Sequence, residues 1–205
     1  MISLNNPTDT IITFDDGFES IYKNAYPILE EFDLKAVVFP IINYIGEKNT
    51  WDYNFKLNSS KHINANQIVE LSRNGWEIGS HGYFHYPYSL MKTNEIINDL
   101  KFSKKYLEDL LCKEVVSFAI PFNLYSPILF DLIEESGYEK IFFNSFYRSN
   151  YYNKKYNLIH RKQVFKISSI KSINNYIDTV NNEISFKDKS IQFCANATVG
   201  LKRLL

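Results

Sequence analysis

The sequence has little cysteine and no surplus of charge of one sign. Its 205 residues include only two cysteines, Cys112 and Cys194, and two cysteines cannot build a disulfide scaffold in a chain of this length. We therefore expect two free, buried thiols. The 23 Lys and Arg residues balance the 23 Asp and Glu residues. Binding to nucleic acid or to an anionic membrane through bulk charge needs a basic surplus, so neither partner is expected.

Long apolar runs are also missing. No stretch reaches the roughly 20 apolar residues that span a bilayer, and the start, MISLNNPTDT, has neither the basic nor the apolar part of a secretory signal. The sequence therefore predicts a cytoplasmic protein. What the chain does contain is 45% hydrophobic residues, including 16 Phe and 15 Tyr, which is too apolar for disorder. Without a linker, repeat or composition break, residues 1–205 are expected to form a single domain.

Short β-rich runs alternate with segments of helical periodicity along the chain. We expect strands over residues 10–14, 34–42, 76–80, 115–120 and 139–145. We expect helices over residues 21–32 (kinked or restarted at Pro27), 66–74, 93–112, 126–137 and 167–184. This alternation predicts βαβ units and a largely parallel sheet. In such α/β folds the chemistry gathers at the carboxyl ends of the strands.

Acidic and imidazole side chains follow two of the predicted strands. Asp15 and Asp16 come at the end of the first strand, and His81 and His85 follow the strand over residues 76–80. Each pair alone has an ordinary explanation, a turn for Asp-Asp-Gly and a surface pair for the histidines. Two histidines and a carboxylate are, however, a common ligand set for a catalytic divalent metal. Together the pairs therefore indicate a metal site. His62 lies far from any motif and is expected to be a loop residue.

Three segments, in this order, resemble the polysaccharide deacetylase family, also called the NodB-homology or carbohydrate esterase 4 domain. They are TFDDG (Thr13–Gly17), EIGSHGYFH (Glu77–His85) and FAIPFN (Phe118–Asn123). The resemblance covers about residues 10–165 and leaves a C-terminal helix and strand over residues 166–205. It implies an α/β fold, a distorted and incomplete (β/α) barrel, which agrees with the alternating pattern.

The resemblance implies a metal centre in which Asp16, His81 and His85 hold a divalent ion. Zinc is the first expectation, and cobalt, nickel and manganese are alternatives. Asp15 would be the general base that activates the hydrolytic water, a role that suits an unligated carboxylate beside a metal.

The third segment would supply the oxyanion site. The backbone N–H of Phe122, in the turn that Pro121 opens, would stabilise the charge that develops on the carbonyl oxygen. The implied reaction is hydrolysis of the N-acetyl group of an amino sugar or glycan to an amine and acetate.

The chain departs from the family pattern in the third segment and leaves a late motif open. Ala119 stands where many members carry an arginine that supports the base, and Asn123 stands where members with alanine have glycine. In the late motif, His160 fits a general acid and Arg161 fits a cation that supports the base. The two roles are not exclusive, and a barrel strand with neither residue in the site is the third possibility.

Two other functions stay open at this level. A carbohydrate-binding relative without activity is suggested by Ala119 and Asn123. A hydrolase of a non-sugar amide or cyclic imide is suggested by the missing export signal and by the lack of a recognisable tryptophan motif in Glu139–Tyr147. The sequence does not fix the oligomeric state.

Overall fold

The computed structural model describes residues 2–6, 9–50, 60–144, 155–164, 168–170 and 173, with the backbone alone for residues 2–6 and 9. The strands are β1 (Ile2–Asn6), β2 (Asp9–Asp16), β3 (Ala36–Pro40), β4 (Glu77–Ile78), β5 (Ser117–Ala119), β6 (Lys140–Asn144) and β7 (Asn157–Lys162). The α-helices are α1 (Tyr26–Glu31), α2 (Ala65–Arg73), α3 (Thr93–Leu111) and α4 (Ile128–Glu135).

The strands form one sheet in the order β4-β3-β2-β1-β7-β6-β5. β1 runs antiparallel to both its neighbours, whereas the other pairs are parallel. Ser80, just after β4, bridges in parallel to Phe118 of β5. The Ser80 N–H donates to the Ser117 carbonyl, and the Ala119 N–H donates to the Ser80 carbonyl, both at 2.9 Å. These bonds join the two ends of the sheet, which confirms the distorted (β/α) barrel.

Side chains alternate between the inside and the outside of this barrel, as they must along any strand. A small buried cluster from several strands fills the inside: Val37, Phe39, Ala119, Phe142 and Ile159, with Ile11 packed against it. The next residue along β6, Phe143, belongs instead to the larger cluster under the helices and contacts Phe130 of α4 at 6.1 Å between ring centroids. Strand parity therefore decides which residues at the barrel mouth can face the interior.

Local signals account for where the helices begin. A π-helical turn over Ile21–Ala25 leads into α1, which restarts with Pro27 in its first turn, so the predicted restart at Pro27 is confirmed. The side chains of Asn64 and Gln67 exchange hydrogen bonds with each other's backbone N–H groups at 3.0 and 2.9 Å, which is a capping box at the start of α2.

Several expectations need correction or fall outside the described residues. β1 was not predicted, because its residues, ISLNN, show no β-rich pattern. Cys112 is exposed, not buried, because it ends α3 in the left-handed conformation of a helix C-terminus. Cys194 and nearly all of the helix and strand expected over residues 166–205 lie outside the described residues, so the single-domain assignment of the whole chain stays a prediction. In the described part of the chain, no helix combines the length and the apolar character needed to cross a membrane.

Candidate active site

The carboxyl end of β2 carries the two aspartates. Asp16 has a left-handed backbone with φ of 65°, and Gly17 follows with φ of 68°. A Cβ atom on Gly17 would lie 2.9 Å from the Cα of Pro40, so the turn requires glycine. Asp15 lies on the same face of β2 as the residues that point into the barrel. The left-handed turn instead directs Asp16 toward the loop that follows β4.

That loop brings His81 and His85 to Asp16. The Nε2 atoms of the two imidazoles lie 3.5 Å and 3.4 Å from Oδ1 of Asp16, and the ring centroids are 4.9 Å apart. His81 is 2% exposed and His85 5%. The Nδ1–H of His81 donates to the carbonyl of Ala119 at 2.8 Å, which directs its Nε2 lone pair toward Asp16.

The charge state of these groups favours a cation between them. Burial lowers the pKa of His81 by more than the charge of Asp15 and the bond to Ala119 raise it, so the imidazole is neutral. A neutral Nε2 lone pair that faces a carboxylate oxygen has no proton to share, and a positive ion between the two would make the contact favourable. A tetrahedral zinc site with bonds of about 2.0–2.1 Å places its ligand atoms about 3.4 Å apart, which these distances match. In the described part of the chain, Asp16, His81 and His85 are the group that could hold a metal, with ligand atoms within 4.8 Å of one another.

The loop that bears both histidines is anchored on α3 by Asp99. The buried carboxylate of Asp99 accepts hydrogen bonds from the N–H groups of Tyr83 and Phe84, at 2.9 and 3.1 Å, and from the hydroxyl of Tyr88 at 2.5 Å. Gly82 has φ of 78°, and a Cβ there would lie 2.8 Å from the Tyr88 hydroxyl and 2.9 Å from Asp99. Glycine is thus required for this packing.

Sequence reasoning missed Asp99, although a signal was present. Asp99 lies on the buried stripe of α3 between Ile96 and Leu100. A carboxylate on the apolar face of a helix needs partners that satisfy its charge. Such a position marks a residue that holds another segment in place.

Asp15 is bound by Arg161, which lies on β7, two strands from β2 in the sheet. Nη1 of Arg161 donates to Oδ1 of Asp15 at 2.6 Å, and Nη2 donates to Oδ2 at 3.0 Å. Nη1 also lies 3.3 Å from the hydroxyl of Thr13. The guanidinium carbon lies 5.5 and 5.8 Å from the ring centroids of Phe39 and Phe142. Both carboxylate oxygens are therefore held in a fixed orientation by a buried cation.

This pairing sets the ionisation of Asp15. Burial alone would raise the pKa of the carboxyl, but the nearby charge of Arg161 and the hydrogen bonds from its guanidinium outweigh burial, so the pKa is lowered. Asp15 is thus an ionised carboxylate at neutral pH. Arg161 thus places a cation beside Asp15 from β7, where the third segment has Ala119 and offers none; its role in supporting the base stays a prediction.

His160 is not brought to this site. It precedes Arg161 on β7, so its side chain lies on the opposite face of the strand. Its ring centroid is 4.5 Å from that of Phe143, on the side where the helices pack. The structure therefore places Arg161, and not His160, beside Asp15.

The third segment forms a strained turn at the barrel mouth. Pro121 is buried, and Phe122 follows with φ of 57° and ψ of −1°. The Phe122 ring lies 4.3 Å from the ring of His85, centroid to centroid. Non-glycine residues rarely adopt a positive φ, and such strain gathers at functional sites. Asp16 and His85 also have a positive φ, of 65° and 57°.

The backbone conformation and the side-chain hydrogen bonds of Asn123 account for its presence where the family pattern has glycine. It also has a left-handed backbone, with φ of 55°, a conformation that Asn tolerates better than most residues. Its side-chain amide donates to the carbonyl of Asn144 at 2.6 Å and accepts from the Asn144 N–H at 2.8 Å. The strained turn is thereby fixed to the end of β6.

A cleft of about 880 Å³ opens from the site, with His85 and Phe122 in its wall. Phe84 and Tyr86 line it and stack on each other, with ring centroids 5.8 Å apart and planes 19° apart. Phe102 of α3 lines it too and is 61% exposed. Polar lining residues include Asn43, Thr50, Glu95 and Asn98. Exposed aromatic faces with polar groups around them are suited to a ligand that has both apolar faces and hydroxyls.

Comparison with known proteins shows the family to which this α/β barrel belongs. A family model described as polysaccharide deacetylase matches residues 5–141, more than half of the chain. The chain therefore belongs to the polysaccharide deacetylase family.

Individual relatives agree with this assignment. Over 135 residues the chain is 34% identical to the poly-beta-1,6-N-acetyl-D-glucosamine N-deacetylase of Staphylococcus aureus (strain MRSA252), an alignment that covers 62% of this chain and 44% of that protein. The chain thus spans less than half the length of this relative.

Solved structures share the fold. The Streptococcus pyogenes deacetylase PplD in complex with acetate superposes with a TM-score of 0.68 at 20% identity, over 82% of this chain and 70% of that one. IcaB from Ammonifex degensii superposes with a TM-score of 0.67 at 20% identity, over 82% and 72%. At this identity the likeness shows the barrel fold.

Proposed function

We propose that this chain is a divalent-metal-dependent deacetylase that hydrolyses the N-acetyl group of an amino sugar within a glycan. The observation that carries the proposal is the pairing of a largely buried, ionised Asp15, held by Arg161, with the neighbouring trio of Asp16, His81 and His85. One carboxylate is thus kept available as a base while the next residue can bind a metal.

Asp16, His81 and His85 would hold the ion, and zinc suits a donor set of two imidazoles and one carboxylate. Cobalt, nickel and manganese are the alternatives. A divalent ion in this position supplies Lewis acidity, which acidifies a water and polarises an amide carbonyl. Because three protein ligands leave a position open, the set has the composition of a catalytic site and not of a closed structural one.

Asp15 would accept the proton from the water and later donate it to the leaving nitrogen. As the water oxygen adds to the acetyl carbon, one water proton passes to Asp15, whose lowered pKa keeps it ionised beforehand. The same proton passes to the sugar nitrogen as the carbon–nitrogen bond breaks, so the products are the amine and acetate. Asp15 then serves as base and acid in turn, because His160 lies on the other face of β7.

The turn after β5 would stabilise the negative charge on the carbonyl oxygen. We assign this role to the backbone N–H of Phe122, in the turn that the buried Pro121 opens. The left-handed backbone of Phe122 and the contact of its ring with His85 support the assignment, since both fix the turn next to the metal ligands. A preorganised donor of this kind is worth about 2.7–4 kcal/mol of the activation barrier.

The substrate would be a glycan that carries N-acetylglucosamine units. The Staphylococcus aureus relative is named for such a polymer, and the aromatic cleft beside His85 offers flat apolar faces to sugar rings. The cytoplasmic location stays a prediction from the sequence.

The Asp15–Arg161 pair also favours catalysis over glycan binding alone. The two departures that suggested a relative without activity each have a compensation in the structure. Arg161 replaces the arginine missing at Ala119, and the Asn123 side chain holds the turn that glycine would form. Among the described residues, no feature favours a non-sugar amide as the substrate.

Acetate release and metal content, measured on the purified chain, test the proposal. The substrates are N-acetylglucosamine, its β-1,6-linked oligomers and an N-acetylated peptide amine. We expect one divalent ion per chain and acetate release from the oligomers. Asp16→Ala and His81→Ala should lose both. Asp15→Asn should keep the metal and lose about 10²- to 10⁴-fold in turnover, the usual contribution of a general base.

Three outcomes would reject parts of this proposal separately. Metal and activity that survive in Asp16→Ala and His81→Ala would remove the metal site. Undiminished turnover in Asp15→Asn would remove the base. Acetate release from the peptide amine and not from the sugars would show that the substrate is a non-sugar amide.

A further inference from the structure

His62 is buried directly behind the metal-ligand Asp16, although no motif contains it. Its Nδ1 atom lies 2.8 Å from the backbone carbonyl oxygen of Asp16, and the residue is 1% exposed. The imidazole lies between two aromatic rings, with centroid distances of 4.8 Å to Phe18 and 5.3 Å to Tyr44. His62 was expected to be a loop residue far from any motif, and the structure places it against the aspartate turn.

The backbone around His62 is fixed to the aspartate turn on both sides. The Glu19 N–H donates to the Lys61 carbonyl at 2.7 Å, and the Ile63 N–H donates to the Gly17 carbonyl at 2.8 Å. The His62 N–H donates to the Glu47 carbonyl at 2.9 Å. The segment 61–63 thus runs antiparallel to residues 17–19, and the ring has little freedom to move away from Asp16.

The Asp16 carbonyl accepts a hydrogen bond from outside the strands of the sheet, from the imidazole of His62. The left-handed φ of Asp16 turns the chain out of β2 at this residue. A carbonyl can only accept a hydrogen bond, so Nδ1 of His62 carries the proton.

We propose that His62 is a positioning residue: its Nδ1–H bond to the Asp16 carbonyl holds the left-handed turn that aims the Asp16 carboxylate at His81 and His85. The inference rests on the proposed metal site. The metal-binding geometry then depends on a residue 46 positions away from Asp16, through the backbone and not through the ion. Partners that orient a metal ligand typically change metal affinity or activity by about 10- to 100-fold when they are replaced.

Three substitutions separate the hydrogen bond from the packing of the ring. In His62→Asn, the side-chain amide nitrogen takes the place of Nδ1 and can still donate to Asp16. In His62→Gln, a similar amide reaches one bond further, to the place of Nε2. In His62→Phe, the aromatic contacts stay and the donor is lost. Asn and Gln are matched in chemistry and differ in reach.

The measurements are the affinity for zinc ion, from competition with a chelator, and the melting temperature of the metal-free chain. We expect zinc affinity to fall about 10- to 100-fold in His62→Phe and His62→Gln. We expect His62→Asn to stay within threefold of the wild type. The melting temperature of the metal-free variants should not follow this order, because Phe keeps the packing that Asn loses.

Two results would overturn the role of His62 while the proposed function stands: wild-type zinc affinity in both His62→Phe and His62→Gln, or a loss in all three that follows the melting temperature. If His62→Phe does not fold, the comparison of Asn with Gln decides alone, and equal affinities reject the proposal. Failure of the proposed function is distinct, because then the wild type itself binds no zinc, and the inference fails with it.

Discussion

Arg161 holds both carboxylate oxygens of Asp15, with nitrogen–oxygen distances of 2.6 and 3.0 Å, across 146 positions of sequence. The arginine comes from β7, which is separated from β2 in the sheet by the antiparallel β1. Because the bond is bidentate, it fixes the direction of the base as well as its charge. The predictions begin from this pair.

Replacing Arg161 should impair the base. In Arg161→Ala we expect turnover at pH 7 to fall about a hundredfold, since a misdirected catalytic group costs about that much. Arg161→Lys keeps the charge without the fork and should fall between Ala and wild type. Arg161→Ala also leaves a buried carboxylate unpaired, so the free energy of unfolding should drop by about 3–5 kcal/mol. Turnover is measured by acetate release and stability by urea unfolding.

The pH dependence of kcat/KM tests the Asp15–Arg161 pair in a second, independent way. The cation lowers the pKa of Asp15, and the base works only when it is ionised, above that pKa. Removing the cation raises the pKa, so the acidic limb of the kcat/KM profile should move to higher pH in Arg161→Ala. An unmoved acidic limb would show that Asp15 is not the group that titrates there.

His160 provides the matched control, because it is the next residue on the same strand and faces the other way. In His160→Ala we expect kcat/KM to stay within about threefold of wild type, with a stability loss of about 1 kcal/mol from the lost contact with Phe143. The same acetate assay measures the rate. A hundredfold loss of activity in a folded His160→Ala variant would restore the general-acid role that the sequence suggested.

Asp99 should be essential to the histidine loop. Asp99→Ala leaves two N–H groups and the Tyr88 hydroxyl without their acceptor, and each buried donor left unsatisfied costs about 1–3 kcal/mol. We expect a large loss of stability and weaker metal binding. Tyr88→Phe removes a single bond of the same group and should cost about 1.5–3 kcal/mol, the value of a bond to a charged acceptor. Calorimetric unfolding and zinc titration measure both effects; normal metal affinity in Asp99→Ala would contradict the anchoring role.

The aromatic cleft predicts a dependence on substrate length. Phe84→Ala, Tyr86→Ala and Phe102→Ala should each lower kcat/KM for a β-1,6-linked oligomer by up to about tenfold, since aromatic contacts are worth about 0.5–1.5 kcal/mol. The rate on the single sugar should change less, because an oligomer that extends along the cleft makes more contacts with these rings. Phe32→Ala is the control, since Phe32 is 69% exposed but does not line the cleft. Equal losses on monomer and oligomer would contradict sugar stacking in the cleft.

Local patterns accounted for the helices and for most of the barrel strands. Turn glycines, capping residues and runs of β-branched residues lie within a few positions of the elements they begin or end, so α2, α3 and the restart at Pro27 could be read directly. β1 could not, because ISLNN becomes a strand only by pairing with β2 and β7. The closure of the barrel through Ser80 and Phe118 is likewise a long-range contact.

The sequence by itself determined the residue types of the site and the short spacings within each motif, which was enough to bring Asp15, Asp16, His81 and His85 into consideration. The tertiary structure brought Arg161, and not His160, beside Asp15, and it revealed the contacts of His62 and Asp99. The physical reason is strand register: a shift of a single residue exchanges the two faces of a strand, and on β7 that register is set by pairing with β6 and β1. No spacing within the motifs carries that information.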